Sequence, residues 1–125
     1  MNVLIPRTAL TVALACTASV TVGAISASAH GEVVRQTPGA NAVLRSAPAS
    51  IAITFDSALI PAASMVVVNS AEGKAVHVGG SIVKDRTIST SVSPQISVGK
   101  YTVAYRVVCA DGHVESNSYT FTVKK

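Results

Sequence analysis

Apolar and polar residues alternate with a period of two through much of this chain, and that pattern admits few folds. Across residues 100–108, Tyr101, Val103, Tyr105 and Val107 fall on one face. Tyr119, Phe121 and Val123 repeat the pattern, with Thr120 and Thr122 opposite. Residues 50–55 and 87–92 alternate in the same way. A period of two is the signature of a strand with one buried face. No long stretch repeats at helical spacing. Met65-Val66-Val67-Val68 is a continuous apolar run, the pattern expected of a strand buried on both faces, with Met65 in the core. Glu72-Gly73 and Gly79-Gly80 read as turn dipeptides. Pro38-Gly39 and Pro48 belong in turns or at a sheet edge, because proline cannot donate to a ladder. The spacing predicts about seven strands in an all-β sandwich or barrel. Residues 57–64, which include Pro61, carry no clear assignment.

The first part of the chain has a different character. Residues 1–29 hold a single charged side chain, Arg7, followed by an apolar stretch over residues 9–22 and then Ala27-Ser28-Ala29. These are the three parts of a secretory signal peptide, with cleavage after Ala29. An uncleaved membrane anchor and lipoprotein processing at Cys16 are the competing readings. Domain organisation is therefore expected to be a signal peptide at 1–29 and one β-domain at 30–125. The latter carries nine basic and six acidic residues and one cysteine, Cys109. One cysteine excludes a disulfide scaffold. Basic residues scattered singly, apart from Lys124-Lys125, argue against a nucleic-acid partner.

Cleavage after Ala29 makes His30 the first residue, with a free α-amine and an imidazole able to chelate one metal ion. An internal histidine has no such amine. Asp111-Gly112-His113 offers a second pair of donors. On an extended chain, residues two apart point to the same side. The competing reading of Asp-Gly-His is an ordinary β-turn with a surface histidine. Taken together, His30, Asp111 and His113 supply three nitrogens and one oxygen. A tetragonal N/O set of that kind suits Cu(II), which also heads the affinity order for such ligands. Because the amine and imidazole must lose protons, affinity should fall as the medium acidifies.

Two stretches resemble CopC-type periplasmic copper-resistance domains. One is residues 101–113, Tyr-Thr-Val-Ala-Tyr-Arg-Val-Val-Cys-Ala-Asp-Gly-His, running into Ser-Tyr-Thr-Phe-Thr-Val at 118–123. The other is Gln36-Thr-Pro-Gly-Ala-Asn-Ala-Val-Leu44, followed by Ala47-Pro48 and the strand ending at Phe55. Lys74 after Glu72-Gly73 fits the family's middle hairpin. The resemblance implies a Greek-key, immunoglobulin-like β-sandwich. It also implies a Cu(II) site built from the terminal histidine, the aspartate and the second histidine, which map onto His30, Asp111 and His113. Some members carry a methionine-rich Cu(I) site; here Met65 is the one methionine beyond the leader. Tyr105 stands where tryptophan is frequent, and Cys109 where a small residue is usual. Cys109 is expected to be a small buried hydrophobe, the alternative being a thiol near the metal. His77 is expected at a strand edge, the alternative being an auxiliary ligand. Glu32 and Glu115 are read as solvated charges near the ligands.

The functional expectation is an exported, non-enzymatic Cu(II)-binding protein, periplasmic or extracellular. It would sequester or carry copper and, by the resemblance, hand it to a copper-transporting membrane protein. Two rival readings are a metal-free immunoglobulin-like interaction module and a copper-dependent oxidase using a terminal histidine chelate. Against the oxidase stand the absence of an extended aromatic surface and a carboxylate in the position that oxygen would need.

Overall fold

The computed structural model describes residues 31–125, so the leader and His30 lie outside the described residues. Eight strands form: β1 (Val33–Thr37), β2 (Ala42–Leu44), β3 (Ser50–Phe55), β4 (Met65–Ser70), β5 (His77–Lys84), β6 (Thr87–Val92), β7 (Gly99–Val108) and β8 (Val114–Val123). They make two four-stranded sheets, in the orders β1-β3-β6-β5 and β2-β8-β7-β4. All neighbours pair antiparallel except β2 and β8, which run parallel. The chain passes from one sheet to the other repeatedly, giving the Greek-key sandwich that the resemblance implied.

Alternation along each strand builds the core. Ile51, Ile53 and Phe55 of β3 and Ile88 and Val92 of β6 face Val66 and Val68 of β4, Tyr101, Val103 and Val107 of β7, and Phe121 and Val123 of β8. Phe55 meets Tyr105 edge to face, with ring centroids 5.4 Å apart. Tyr101 stacks on Phe121 at the same separation. Such pairs add about 0.5–1.5 kcal/mol beyond the area they bury. Among the described residues, two hydroxyls are buried without a hydrogen-bond partner, Thr90 Oγ1 and that of Tyr119.

Three expectations need correction. The Met65–Val68 run is not buried on both faces: β4 is an edge strand, Val66 and Val68 point inward, and Met65 is 58% exposed. A continuous apolar run cannot reveal which of its members face water. Gly79-Gly80 is not a turn between strands. It lies inside β5, where the register against β6 slips between Val78 and Ile82 and Gly79 takes φ +76°. The strand count rises from about seven to eight, because three-residue β2 is too short to show a period.

The slip in β5 has a structural purpose. The residues just before β5 run beside β4, with Ala75 bridged to Asn69 and Val76 N donating to Val68 O at 2.8 Å, while β5 pairs with β6 from His77 onward and meets the β4 edge with side chains. Ser81 Oγ accepts from Val66 N at 2.9 Å and donates to Val66 O at 3.1 Å. His77 Nδ1 lies 3.1 Å from Val68 N and 3.3 Å from Val68 O. These contacts close the seam between the sheets and cover an otherwise open edge. His77 is thus a strand-edge residue, as expected, with its Nδ1 engaged by backbone.

Candidate metal centre

Asp111, Gly112 and His113 form the connection between β7 and β8 at one end of the sandwich. The backbone there is a turn, not an extended strand: Gly112 N donates to Cys109 O at 2.9 Å, and Cys109 N to His113 O at 2.8 Å. Gly112 has φ +93°, a conformation that L side chains rarely adopt, so glycine is needed to close the loop. Of the two readings of Asp-Gly-His, extended chain and β-turn, the turn is the one that forms, and the two side chains still meet. Asp111 Oδ1 accepts from His113 N at 3.0 Å, and Oδ2 lies 2.9 Å from His113 Nδ1. The turn and the coupling of its side chains have the same cause, an aspartate that bonds to the backbone two residues on. Both side chains remain substantially exposed, His113 at 51% and Asp111 at 36%. The turn is fastened to the loop after β3 by Ala110 N donating to Ala58 O at 2.9 Å and by a bridge between Leu59 and Cys109.

The first described residue arrives at this same end. Gly31 N donates to Asp56 Oδ1 at 2.6 Å, and Asp56 N donates back to Glu32 O at 3.0 Å. Gly31 itself is buried, with φ +112°. A Cβ at this position would stand 2.9 Å from Glu115 Cγ and 3.1 Å from Cys109 Sγ. The arm is thus clamped between the β3 terminus and the β7–β8 end, and only glycine fits the clamp. Glu115 is half-buried against this arm rather than simply solvated, which corrects its sequence reading.

Cys109 is fully buried beneath the turn, as expected of a small hydrophobe. Burial pushes its thiol pKa up, and the nearby carboxylates of Asp111, Asp56 and Glu115 push it further. The thiol is held protonated, a poor state for ligating metal. The Tyr105 phenol is likewise raised, by burial first and then by Glu115. Three carboxylates therefore act on one small volume at this end of the fold.

The structure brings Asp111 and His113 into contact and sets Gly31 against Cys109 and Glu115, which flank that turn. It does not bring in His77, which sits where β5 begins, at the other end of the sheet. His30, the third expected ligand, lies outside the described residues. Among the described residues, no three His, Cys, Asp or Glu side chains converge as a metal site on their own. Sequence reasoning missed Asp56 and Gly31. Their contact spans 25 positions and leaves no local trace.

Comparison with known proteins fits this architecture. The crystal structure of CopC from Methylosinus trichosporium OB3b matches with a TM-score of 0.69 at 30% identity, over 76% of this chain and 94% of that one. PcoC, a methionine-rich copper resistance protein from Escherichia coli, matches with a TM-score of 0.61 at 22% identity, over 77% of this chain and all of that one; at that identity the likeness speaks to the fold alone. Protein YobA of Escherichia coli K12 is 28% identical over 99 residues, 77% of this chain and 80% of YobA. The family model for the CopC domain spans residues 33–124, from the first residue of β1 to one residue beyond β8, and this chain belongs to that family.

Proposed function

We propose that this protein binds Cu(II) outside the cytoplasm and sequesters or carries it, serving copper resistance and homeostasis. In this reading residues 1–29 are a signal peptide and cleavage at Ala29/His30 frees the α-amine. The amine and imidazole of His30, a carboxylate oxygen of Asp111 and the imidazole of His113 hold the ion. The observation that carries it is the placement of the Gly31 clamp at the end that holds the Asp111–His113 pair. Residue 30 is one peptide bond from Gly31, so a clamped Gly31 restricts where its donors can go.

The donor chemistry fits the ion. Asp111 and His113 supply one oxygen and one nitrogen, too few for a stable site, and a terminal chelate would add two nitrogens. That set favours Cu(II) over Cu(I), which prefers sulfur. Met65 faces solvent opposite Arg106 of β7, a single thioether and too little for a sulfur-built Cu(I) site, and Cys109 is fully buried with its thiol pKa raised. A site tuned to one oxidation state suits binding and release better than electron transfer. Release would follow reduction or transfer to a copper-transporting membrane protein.

The test is an EPR-monitored Cu(II) titration of protein beginning at His30, beside a version with one extra residue before it. A one-to-one tetragonal signal with nitrogen hyperfine, altered by the extra residue, is the expected result. No specific signal in either version would overturn the copper reading.

A further inference from the structure

Folding sorts the charges that the sequence scatters. Five of the six acidic side chains gather in the half of the sandwich that carries the Asp111–His113 turn: Glu32, Asp56, Asp85, Asp111 and Glu115. Arg35, Lys84, Arg86 and Arg106 lie in that half as well, leaving it a side-chain charge of −1. The opposite end holds Arg45, after β2; Lys74, in the turn between β4 and β5; Lys100, at the start of β7; and Lys124 and Lys125, beyond β8. One acid, Glu72, accompanies them, so that end carries +4.

Registers place these bases together. Lys100 pairs with Thr122, two residues before Lys124. Lys124 N donates to Leu44 O at 2.8 Å, which seats the tail beside Arg45. Lys74 and Lys100 line the same open cleft, between the β4–β5 turn and the loop before β7. All five bases are exposed, and none forms a salt bridge among the described residues. Val98, in the loop beside Lys100, is 54% exposed.

We propose that this basic pole docks on an anionic phospholipid surface. The five cations are borne by four separate segments, and four of them are lysines on flexible stems. A fluid, continuous sheet of negative charge satisfies such an array without demanding fixed geometry. An acidic protein partner would call for rigid forks or a central apolar anchor pocket, and the cleft shared by Lys74 and Lys100 is lined mainly by polar atoms. The exposed Val98 beside the bases suits the boundary between headgroups and acyl chains. Docked by this pole, the ten-residue β7 would hold the Asp111–His113 end about 33 Å from the surface. That exceeds the screening length of about 8 Å at physiological salt, so the acidic end would not oppose docking. The inference stands on charge placement and is independent of the copper reading.

The test is co-sedimentation of the chain from His30 onward, which retains the whole described core, with phosphatidylcholine vesicles with and without about 30% phosphatidylglycerol. Binding is expected to the anionic vesicles alone and to fade as salt rises. Each base near such a surface strengthens partitioning about fivefold, so Lys74→Gln with Lys100→Gln should weaken it about 25-fold. Lys84→Gln, at the other end, should change it little. Three results would overturn the proposal: no binding to anionic vesicles at low salt, equal loss from Lys84→Gln, or release of bound protein by poly-glutamate at matched charge, which would reassign the pole to an acidic polypeptide.

Discussion

Replacing Gly31 with alanine separates the stability of the fold from the integrity of the proposed metal centre. At φ +112° the alanine backbone is strained, which costs about 1–3 kcal/mol. Its Cβ would stand 2.9 Å from Glu115 Cγ and 3.1 Å from Cys109 Sγ. Glu115 can swing aside, but Cys109 is packed in the core and cannot. The relief open to the chain is to let go of the arm. Gly31 precedes β1, whose pairing with β3 begins at Val33, so the arm can leave without opening the core. What is lost is the 2.6 Å hydrogen bond to Asp56, and a bond to a charged group contributes about 1.5–3 kcal/mol.

Copper binding through His30 would then have to pull the arm back into the strained position. A cost of about 2–4 kcal/mol for that step raises Kd roughly 30- to 700-fold, at 1.4 kcal/mol per decade. The metal-free variant should lose no more than that hydrogen bond, about 1.5–3 kcal/mol, with Tm falling about 4–8 °C for each kcal/mol. Competition against a chromophoric chelator gives Kd, and calorimetry gives Tm. Gly73→Ala is the control: Gly73 also has positive φ, +82°, but nothing lies near its missing Cβ and it belongs to the far turn. It should cost some stability and leave Kd alone. A Gly31→Ala protein that binds Cu(II) as tightly as the parent would refute the coupling between arm and site.

Further outcomes follow from three buried or half-buried side chains, Tyr119, His77 and Cys109. Tyr119→Phe should raise Tm, because it removes a buried hydroxyl that has no partner. The same change should flatten an alkaline loss of stability. Burial lifts the Tyr119 phenol from 10.0 to about 12, so the folded state keeps a proton that the unfolded chain releases. The parent is thus unaffected below pH 10 and destabilised as pH climbs towards 12, which thermal melts across that range would detect. His77→Ala should cost about 1–3 kcal/mol in denaturant unfolding by uncovering the β4 edge at Val68, with copper affinity unchanged. Cys109 should resist a thiol reagent in the native protein and react on unfolding, and Gly31→Ala should speed the native reaction by lifting the arm from the sulfur.

The fold was legible because its longest strands each have one wet face. β7 and β8 bury every second residue over much of their length, so Tyr101, Val103 and Val107, and Phe121 and Val123, declare themselves. Period fails where an edge replaces that simple arrangement. Met65 and Val67 are apolar on the outer face of β4, and no local rule separates them from Val66 and Val68. Gly79-Gly80 carries turn chemistry but serves a bulge, since β5 must pair with β6 and still cover the β4 edge with Ser81 and His77.

The candidate site was legible only in part, for a reason of distance along the chain. Asp111 and His113 are two residues apart, and their contact follows from local turn chemistry. Asp56 and Gly31 are 25 apart, and their hydrogen bond exists only because β1 pairs with β3. Charge segregation has the same origin at larger scale. Arg45, Lys74, Lys100 and Lys124 look isolated along the sequence, yet antiparallel connections return the chain to the same end each time. In a sandwich, residues near successive turns share a pole when an even number of strands separates them. A reading that follows only sequence neighbours counts single charges where the fold presents a surface. If the protein carries copper as proposed, the polarity would matter, because the end that gathers carboxylates would attract cations while the opposite end met anions. The same uneven distribution of charge would then both orient the chain and favour its loading.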